Sequence, residues 1–125
     1  MKTHNDPRHI FRIKVMQSLF ARGFSDKQAE ETEVKQTVEE IEKNKGKIDE
    51  LIVHAAPTWP IDKINKIDLC ILRQAIFELL IEPKVPVKVV IDEAIEIAKE
   101  YGSESAPAFV NGVLGKIIEY KKLAV

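Results

Sequence analysis

The chain of 125 residues suits one domain with a buried core. Hydrophobic residues make up 45% and charged residues 31%, a balance typical of a globular protein that excludes global disorder. The net charge of -1 excludes long-range attraction of the whole molecule to nucleic acid or membranes, so any such attraction must come from a local patch.

The cysteine count and the hydropathy pattern exclude further classes. A single cysteine, Cys70, cannot form an intramolecular disulfide framework or a cysteine-based zinc site, and its apolar surroundings indicate a small buried hydrophobe. No apolar stretch approaches the length of a membrane span, and the first residues have no signal-peptide core. We therefore expect a cytoplasmic protein that does not enter a membrane.

The residues show no pattern for catalysis. The histidines, His4, His9 and His54, have no metal-like spacing, and the glycine patterns of phosphate and dinucleotide loops are absent. Carboxylates are plentiful, but we expect them on solvated helix faces. The sequence therefore predicts no catalytic residue, no metal, no cofactor and no enzyme activity.

Capping residues and glycines divide the N-terminal half into three predicted helices. The first helix starts at Asn-Asp-Pro (5–7) and stops at Gly23. Ser-Asp-Lys-Gln at 25–28 is interpreted as a capping box that opens the second helix, which Asn-Lys-Gly at 44–46 breaks. Apolar residues at i, i+3, i+4 and i+7 then predict a third helix to about Ala56.

The C-terminal half predicts three more helices after a corner that contains Trp59. The fourth helix is capped near Asn65, runs to about Ile81 and is apolar nearly all round, so it is expected in the middle of the domain. A fifth helix closes at Gly102, and a sixth follows. Gly112 in the sixth helix is interpreted as a point of close packing.

The first helix carries the most informative charge pattern. Arg8, Arg12, Val15 and Leu19 lie on one line, which is cationic at one end and apolar at the other. Guanidinium groups clamp phosphates or stack on bases, and Phe20 is either a core residue or a stacking platform. The alternative is that both arginines pair with the acidic second helix.

Arg73 lies among apolar residues of the fourth helix. A charge buried there needs a partner, and we expect a structural salt bridge. The candidate partners on the next helix are Asp92, Glu93 and Glu96.

Three blocks of the chain resemble the NusB family of transcription antitermination factors. They are Ile-Leu-Arg-Gln-Ala-Ile-Phe-Glu-Leu-Leu at 71–80, Val-Pro-Val-Lys-Val-Val-Ile-Asp-Glu-Ala-Ile-Glu-Ile-Ala-Lys at 85–99, and Tyr-Gly-Ser-Glu at 101–104 with Phe-Val-Asn-Gly-Val-Leu at 109–114. The blocks occur in family order and at family spacing. Gln-Ser-Leu-Phe at 17–20 also matches the Gln-x-Leu-aromatic end of the family's first helix.

The resemblance implies an all-α, NusB-like fold of about six to seven helices in a single domain over 1–125, with subdomains of about 1–58 and 59–125. It implies binding of boxA-type RNA in nascent transcripts, notably ribosomal RNA, together with the ribosomal protein NusE. This activity regulates termination by the RNA polymerase elongation complex and involves no catalysis.

By position, the resemblance implies RNA contacts on the first and last helices and a partner surface on the central helix. The residues are Arg8, Arg12, Phe20, Ser105 and Phe109 for single-stranded boxA-like RNA, and Asp68 and Phe77 for NusE.

Two other interpretations stay open. One is a helical RNA-positioning domain like that in front of some RNA cytosine methyltransferases. The other is a helical protein-interaction module that has lost RNA binding, because the basic patch is small.

Overall fold

The computed structural model describes residues 6–25 and 29–125, and within those ranges it is all-α. Its helices are α1 (Pro7–Arg22), α2 (Thr32–Lys43), α3 (Lys45–Ala55), α4 (Lys66–Ile76), α5 (Val87–Tyr101) and α6 (Ala106–Lys121). A 3₁₀ turn at Ile61–Lys63 precedes α4, and a π-helical turn at Phe77–Ile81 extends it. The predicted all-α fold is confirmed. No helix of the described part is long and apolar enough to cross a membrane.

Side-chain caps start α1 and α4 where the sequence predicts. The Asp6 carboxylate accepts a hydrogen bond from the backbone N–H of Arg8 at 2.9 Å, and a proline follows it at the first helical position. The Asn65 side-chain oxygen accepts from the N–H groups of Ile67 and Asp68 at 2.9 and 3.2 Å. Both caps satisfy donors that a helix start leaves without an intrahelical partner.

The predicted start of the second helix is wrong in part. Residues 26–28 of the expected capping box lie outside the described residues, but 29–31 are not helical and α2 begins at Thr32. The cause is tertiary: the Glu30 carboxylate accepts hydrogen bonds from Ser18 and Arg22 of α1. These bonds tie the segment to α1 before α2 begins. The break predicted at 44–46 is shorter in the structure: only Asn44 separates α2 from α3, because α3 begins at Lys45.

Helix α4 lies at the centre of the fold, as predicted, and packs against α1, α3, α5 and α6. Its buried apolar residues are Leu69, Cys70, Ile71, Leu72, Ala75 and Ile76. Buried residues of all six helices join these in one core cluster. The Cys70 thiol is buried, as expected, and this burial raises its pKa to about 11. The division into two subdomains near Trp59 stays a prediction.

Close packing occurs at Gly102, and the prediction that placed it at Gly112 is wrong. A Cβ atom on Gly102 would lie 2.6 Å from the Ala106 Cβ and 2.8 Å from both the Ala98 carbonyl oxygen and the Asp68 Oδ1. A Cβ atom on Gly112 would have no neighbour within 4 Å. Gly112 lies on the exposed face of α6, so helical periodicity alone could not identify which glycine is crowded.

Arg73 forms the expected salt bridge, but the predicted partners on α5 are wrong. Its Nε and Nη2 donate to the two carboxylate oxygens of Asp49 on α3, each at 2.9 Å. Arg73 therefore faces α3, while Glu93 of α5 accepts from Arg12 of α1. The bidentate pair joins α3 to the central helix.

Candidate nucleic-acid interface

Arg8 lies at the exposed N-terminal end of α1. Its side chain is 79% exposed, and its Nη2 is 3.4 Å from the Asp6 carboxylate. So long and exposed an ion pair contributes little and leaves most donors of the guanidinium to solvent. Arg8 therefore has the accessibility that a phosphate contact requires.

Arg12 is buried, which contradicts the expectation that it lies at the exposed cationic end of α1. It donates through Nε and Nη2 to the Glu78 carboxylate at 2.9 and 2.8 Å, and through Nη1 to Glu93 at 2.9 Å. Burial opposes the charge of Arg12, but the hydrogen bonds that it donates to Glu78 and Glu93 outweigh burial and raise its pKa. The guanidinium therefore fixes α1 against α5 and the π-helical turn.

His9 completes this buried network next to Arg8. Its Nδ1 lies 3.2 Å from Glu93 and its Nε2 lies 2.9 Å from Glu100. Because carboxylates only accept, both nitrogens donate when the ring is protonated. Burial opposes the charge, but the hydrogen bonds with Glu100 and Glu93 outweigh it and raise the pKa of His9. The i, i+3 spacing places His9 and Arg12 on one face of α1, and this was the available signal in the sequence. The spacing could not identify the glutamates that bind them.

The remaining cations of α1 do pair with the acidic segment that follows. Lys14 Nζ lies 2.7 Å from the Glu31 carboxylate. Arg22 donates hydrogen bonds to Glu30 and Glu42, and those to Glu30 are the main cause of the raised pKa of Arg22. The alternative pairing expected for Arg8 and Arg12 thus applies to these two side chains instead.

Phe20 lies half-buried near the C-terminal end of α1. Its ring meets the Phe24 ring edge-on, with centroids 5.1 Å apart and planes at 66°. Phe24 is 74% exposed. An α-helix rises about 1.5 Å per residue, so Arg8 and Phe20 are separated by about 18 Å along the axis. The structure does not bring these two predicted RNA contacts into one pocket.

Ser105 and Phe109 lie together at the start of α6, where an exposed tryptophan joins them. Ser105 is the exposed residue before the helix, and Phe109 lies one turn further on. The Trp59 ring meets the Phe109 ring at a centroid distance of 6.1 Å and an angle of 72°, and Trp59 is 53% exposed. Sequence reasoning assigned Trp59 only to a corner. A large aromatic residue between two prolines was the signal that it missed.

Asp68 is buried, which contradicts its expected position on a partner surface. Its carboxylate accepts from the backbone N–H and the hydroxyl of Ser103 at 3.1 and 2.7 Å. With 4% exposure, Asp68 instead anchors the turn between α5 and α6.

Phe77 is also buried, but it forms part of the floor of an open groove of about 740 Å³ between α1, α2 and the π-helical turn. Phe11 and Val85 complete the apolar floor. We call this the α1/α2 groove. Its charged lining residues are Arg8, Arg12, Glu33, Glu40, Glu78, Glu82 and Lys84. Carboxylates thus outnumber cations around an apolar floor.

The described residues thus form a helical domain with α4 at its centre, an exposed arginine on α1 and an aromatic pair at the start of α6. The model of the NusB family matches residues 7–119, and the chain belongs to this family.

Two relatives show the extent of the similarity. The transcription antitermination protein NusB of Clostridium botulinum (strain Alaska E43) is 43% identical over 130 residues, which cover 90% of this chain and 98% of that protein. The protein of the same name from Lachnoclostridium phytofermentans is 44% identical over 81 residues, 65% of this chain. That alignment spans only 61% of the relative's length.

Solved structures share the fold. A structure of T. maritima NusB has a TM-score of 0.81 at 36% identity, covering 95% of this chain and 93% of that one. A chain in the crystal structure of antitermination factors NusB and NusE in complex with dsRNA has a TM-score of 0.77 at 20% identity, covering 90% and 96%. The second likeness concerns the fold alone.

Proposed function

We propose that this chain is a transcription antitermination factor that acts in the cytoplasm without catalysis. It binds boxA-type RNA of nascent transcripts, notably ribosomal RNA, together with a NusE-type ribosomal protein, and so assists the RNA polymerase elongation complex. The observation that carries the proposal is the match to the NusB family over residues 7–119, supported by a NusB relative that aligns over 98% of its length.

The exposed groups supply the chemistry that single-stranded RNA needs. Arg8 is free to contact phosphate, since its only ion pair is long and exposed in the described structure. The Trp59–Phe109 pair offers aromatic surface on which bases stack without regard to sequence, and the Ser105 hydroxyl beside it donates or accepts a hydrogen bond. Phe20, with Phe24, offers a separate aromatic surface near the C-terminal end of α1. Arg12 takes the role of a positioning residue, because its donors already bond to carboxylates.

The α1/α2 groove is the surface that we propose for the ribosomal protein. Proteins that bind ribosomal RNA need basic surfaces, and the excess of one carboxylate over the cations around an apolar floor gives this groove a slight negative charge that is complementary to such a partner. Phe77 contributes to that floor. The pairing is a property of the NusB protein that was crystallised with NusE and dsRNA, whose fold this chain shares.

The test is a titration of boxA-like RNA followed by the fluorescence of Trp59, the single tryptophan of the chain. RNA that stacks on the Trp59–Phe109 pair changes this signal directly. We expect Arg8→Ala to weaken binding and to make the log–log salt dependence shallower by about 0.7, the loss of one phosphate contact on a single strand. Lys43→Ala, which removes an exposed lysine of α2, is the matched control and retains wild-type binding.

The second candidate is a helical protein-interaction module without RNA binding. The burial of Arg12 favours it, because it leaves Arg8 as the exposed arginine of the described part of α1. If Arg8→Ala leaves both affinity and salt slope unchanged and Trp59 fluorescence does not respond to RNA, this second function replaces the first.

A further inference from the structure

A second cleft, separate from the α1/α2 groove, opens between α3, the π-helical turn and the C-terminal end of α6. We call it the Tyr120 cleft. It has a volume of about 590 Å³ and shares no lining residue with the α1/α2 groove. The π-helical turn lies between the two: Phe77 faces the groove, whereas Leu80 and Ile81 line the cleft.

The aromatic wall of the cleft is made by two exposed rings. The centroids of His54 and Tyr120 are 3.9 Å apart, with planes tilted by 37°. Tyr120 is 52% exposed, so half of its side chain remains open to solvent although the ring stacks on His54. Lys121 Nζ lies 5.5 Å from the Tyr120 centroid, within the range of a cation–π contact.

The floor of the cleft is apolar, and its rim is mostly cationic. Leu51, Leu80 and Ile81 are half-buried on its floor. Lys47 and Lys121 lie on its rim, and neither forms an ion pair with any residue of the described ranges. Glu50 is the one carboxylate among the lining residues. The volume lies within the usual range for small-ligand sites.

We propose that the Tyr120 cleft binds a nucleotide of single-stranded RNA, with the base against Tyr120 and the phosphate at the rim lysines. An exposed aromatic ring above an apolar floor matches the face of a base, and the unpaired lysines match its backbone charge. Glu50 is placed to accept a hydrogen bond from a base amino group, which favours adenine, guanine or cytosine over uracil. The inference rests on the proposed function in one respect: RNA is the ligand class.

The cleft is a second contact for RNA, distant in the fold from the start of α1. Arg8 pairs with Asp6 and lines the α1/α2 groove. The Tyr120 cleft is instead lined by residues of α3, of α6 and of the side of the π-helical turn that faces away from this groove. A strand that reached both sites would pass around the π-helical turn. RNA long enough to do so gains affinity that a short RNA lacks.

The experiment is an NMR titration of the full chain with a short oligoadenylate. We expect the ring signals of His54 and Tyr120 to shift together. Tyr101, the other tyrosine of the chain and itself 38% exposed, is the internal control and does not shift. Tyr120→Ala weakens binding at this site by at least about fivefold, as expected for the loss of one stacked base. Tyr101→Ala leaves it unchanged, and Lys47→Gln weakens it and flattens its salt dependence.

The outcomes separate this inference from the proposed function. If Arg8→Ala does not change the affinity for boxA-like RNA but the Tyr120 ring signals shift with oligoadenylate, the inference about the cleft is supported and the proposed RNA contact on α1 is refuted. If RNA leaves the His54 and Tyr120 rings unmoved, the inference is overturned whatever Arg8 does. A response to a polyglutamate peptide but not to RNA also overturns it, because the cleft would then bind acidic protein segments.

Discussion

Gly102 lies where the turn between α5 and α6 leaves no room for a side chain. A methyl group there would meet the Ala106 Cβ, the Ala98 carbonyl oxygen and the Asp68 carboxylate at once. We expect Gly102→Ala to lower the free energy of unfolding by about 1–3 kcal/mol through overpacking. Gly112→Ala is the matched control: its methyl group meets nothing, and alanine favours a helix by up to about 1 kcal/mol. Urea denaturation of both variants gives the comparison, and equal stabilities would refute the assignment.

Arg8 and Arg12 look equivalent in the sequence but differ in burial. Arg12→Ala leaves the buried Glu93 carboxylate without its guanidinium partner, so we expect a loss of about 3–5 kcal/mol in the free energy of unfolding. Arg8→Ala changes an exposed side chain, and its effect should stay within about 0.5 kcal/mol. Chemical denaturation of the two variants measures both values. Equal effects would mean that Arg12 is not held in the buried network.

The start of α1 is held to α5 by charged side chains. His9 stands between Glu93 and Glu100 of α5, while Arg12 bridges Glu93 and Glu78. The folded pKa of His9 lies above its unfolded value of 6.5. The stability it contributes is therefore complete below that value and lost as the pH rises through the folded pKa.

We accordingly expect the free energy of unfolding to fall as the pH rises above about 6.5, with a smaller fall in His9→Gln. Denaturant titrations at several pH values across this window supply the measurement. If His9→Gln and the wild type show the same pH dependence, then Glu93 and Glu100 do not stabilise the protonated form of His9.

Local signals in the sequence predict the elements well because the elements depend on local chemistry. The Asp6 cap, the stop at Gly23 and the Asn65 cap all involve groups within a few residues of each other. The α2 start was wrong because Glu30 bonds to α1, a contact that no local pattern contains. The Arg73 partner was wrong for the same reason: direction around a buried helix is set by packing.

The candidate site shows the same limit. Arginine spacing correctly placed Arg8 and Arg12 along one helix, but it could not tell that two glutamates from distant segments enclose Arg12. The family resemblance gave positions without exposure, so it placed the buried Asp68 on a surface. Trp59 was missed because it lies in the loop after α3, whereas its partner, Phe109, lies far along the chain on α6.

The whole molecule has a net charge of -1 and so has no long-range attraction for RNA. Most cations of α1 are paired with carboxylates, which confines the accessible positive charge further. A basic ribosomal protein bound in the α1/α2 groove would supply the missing phosphate contacts. The central claim is therefore that RNA and partner bind this chain cooperatively.

Paired titrations test that claim most directly: boxA-like RNA into the protein with and without the NusE-type protein, and the NusE-type protein into this chain with and without RNA. Thermodynamic linkage requires that the partner tightens RNA binding by the same factor by which RNA tightens partner binding, and we expect a factor of about 5 to 150. Equal affinities within both pairs would mean no coupling and would contradict the antitermination mechanism proposed for this fold.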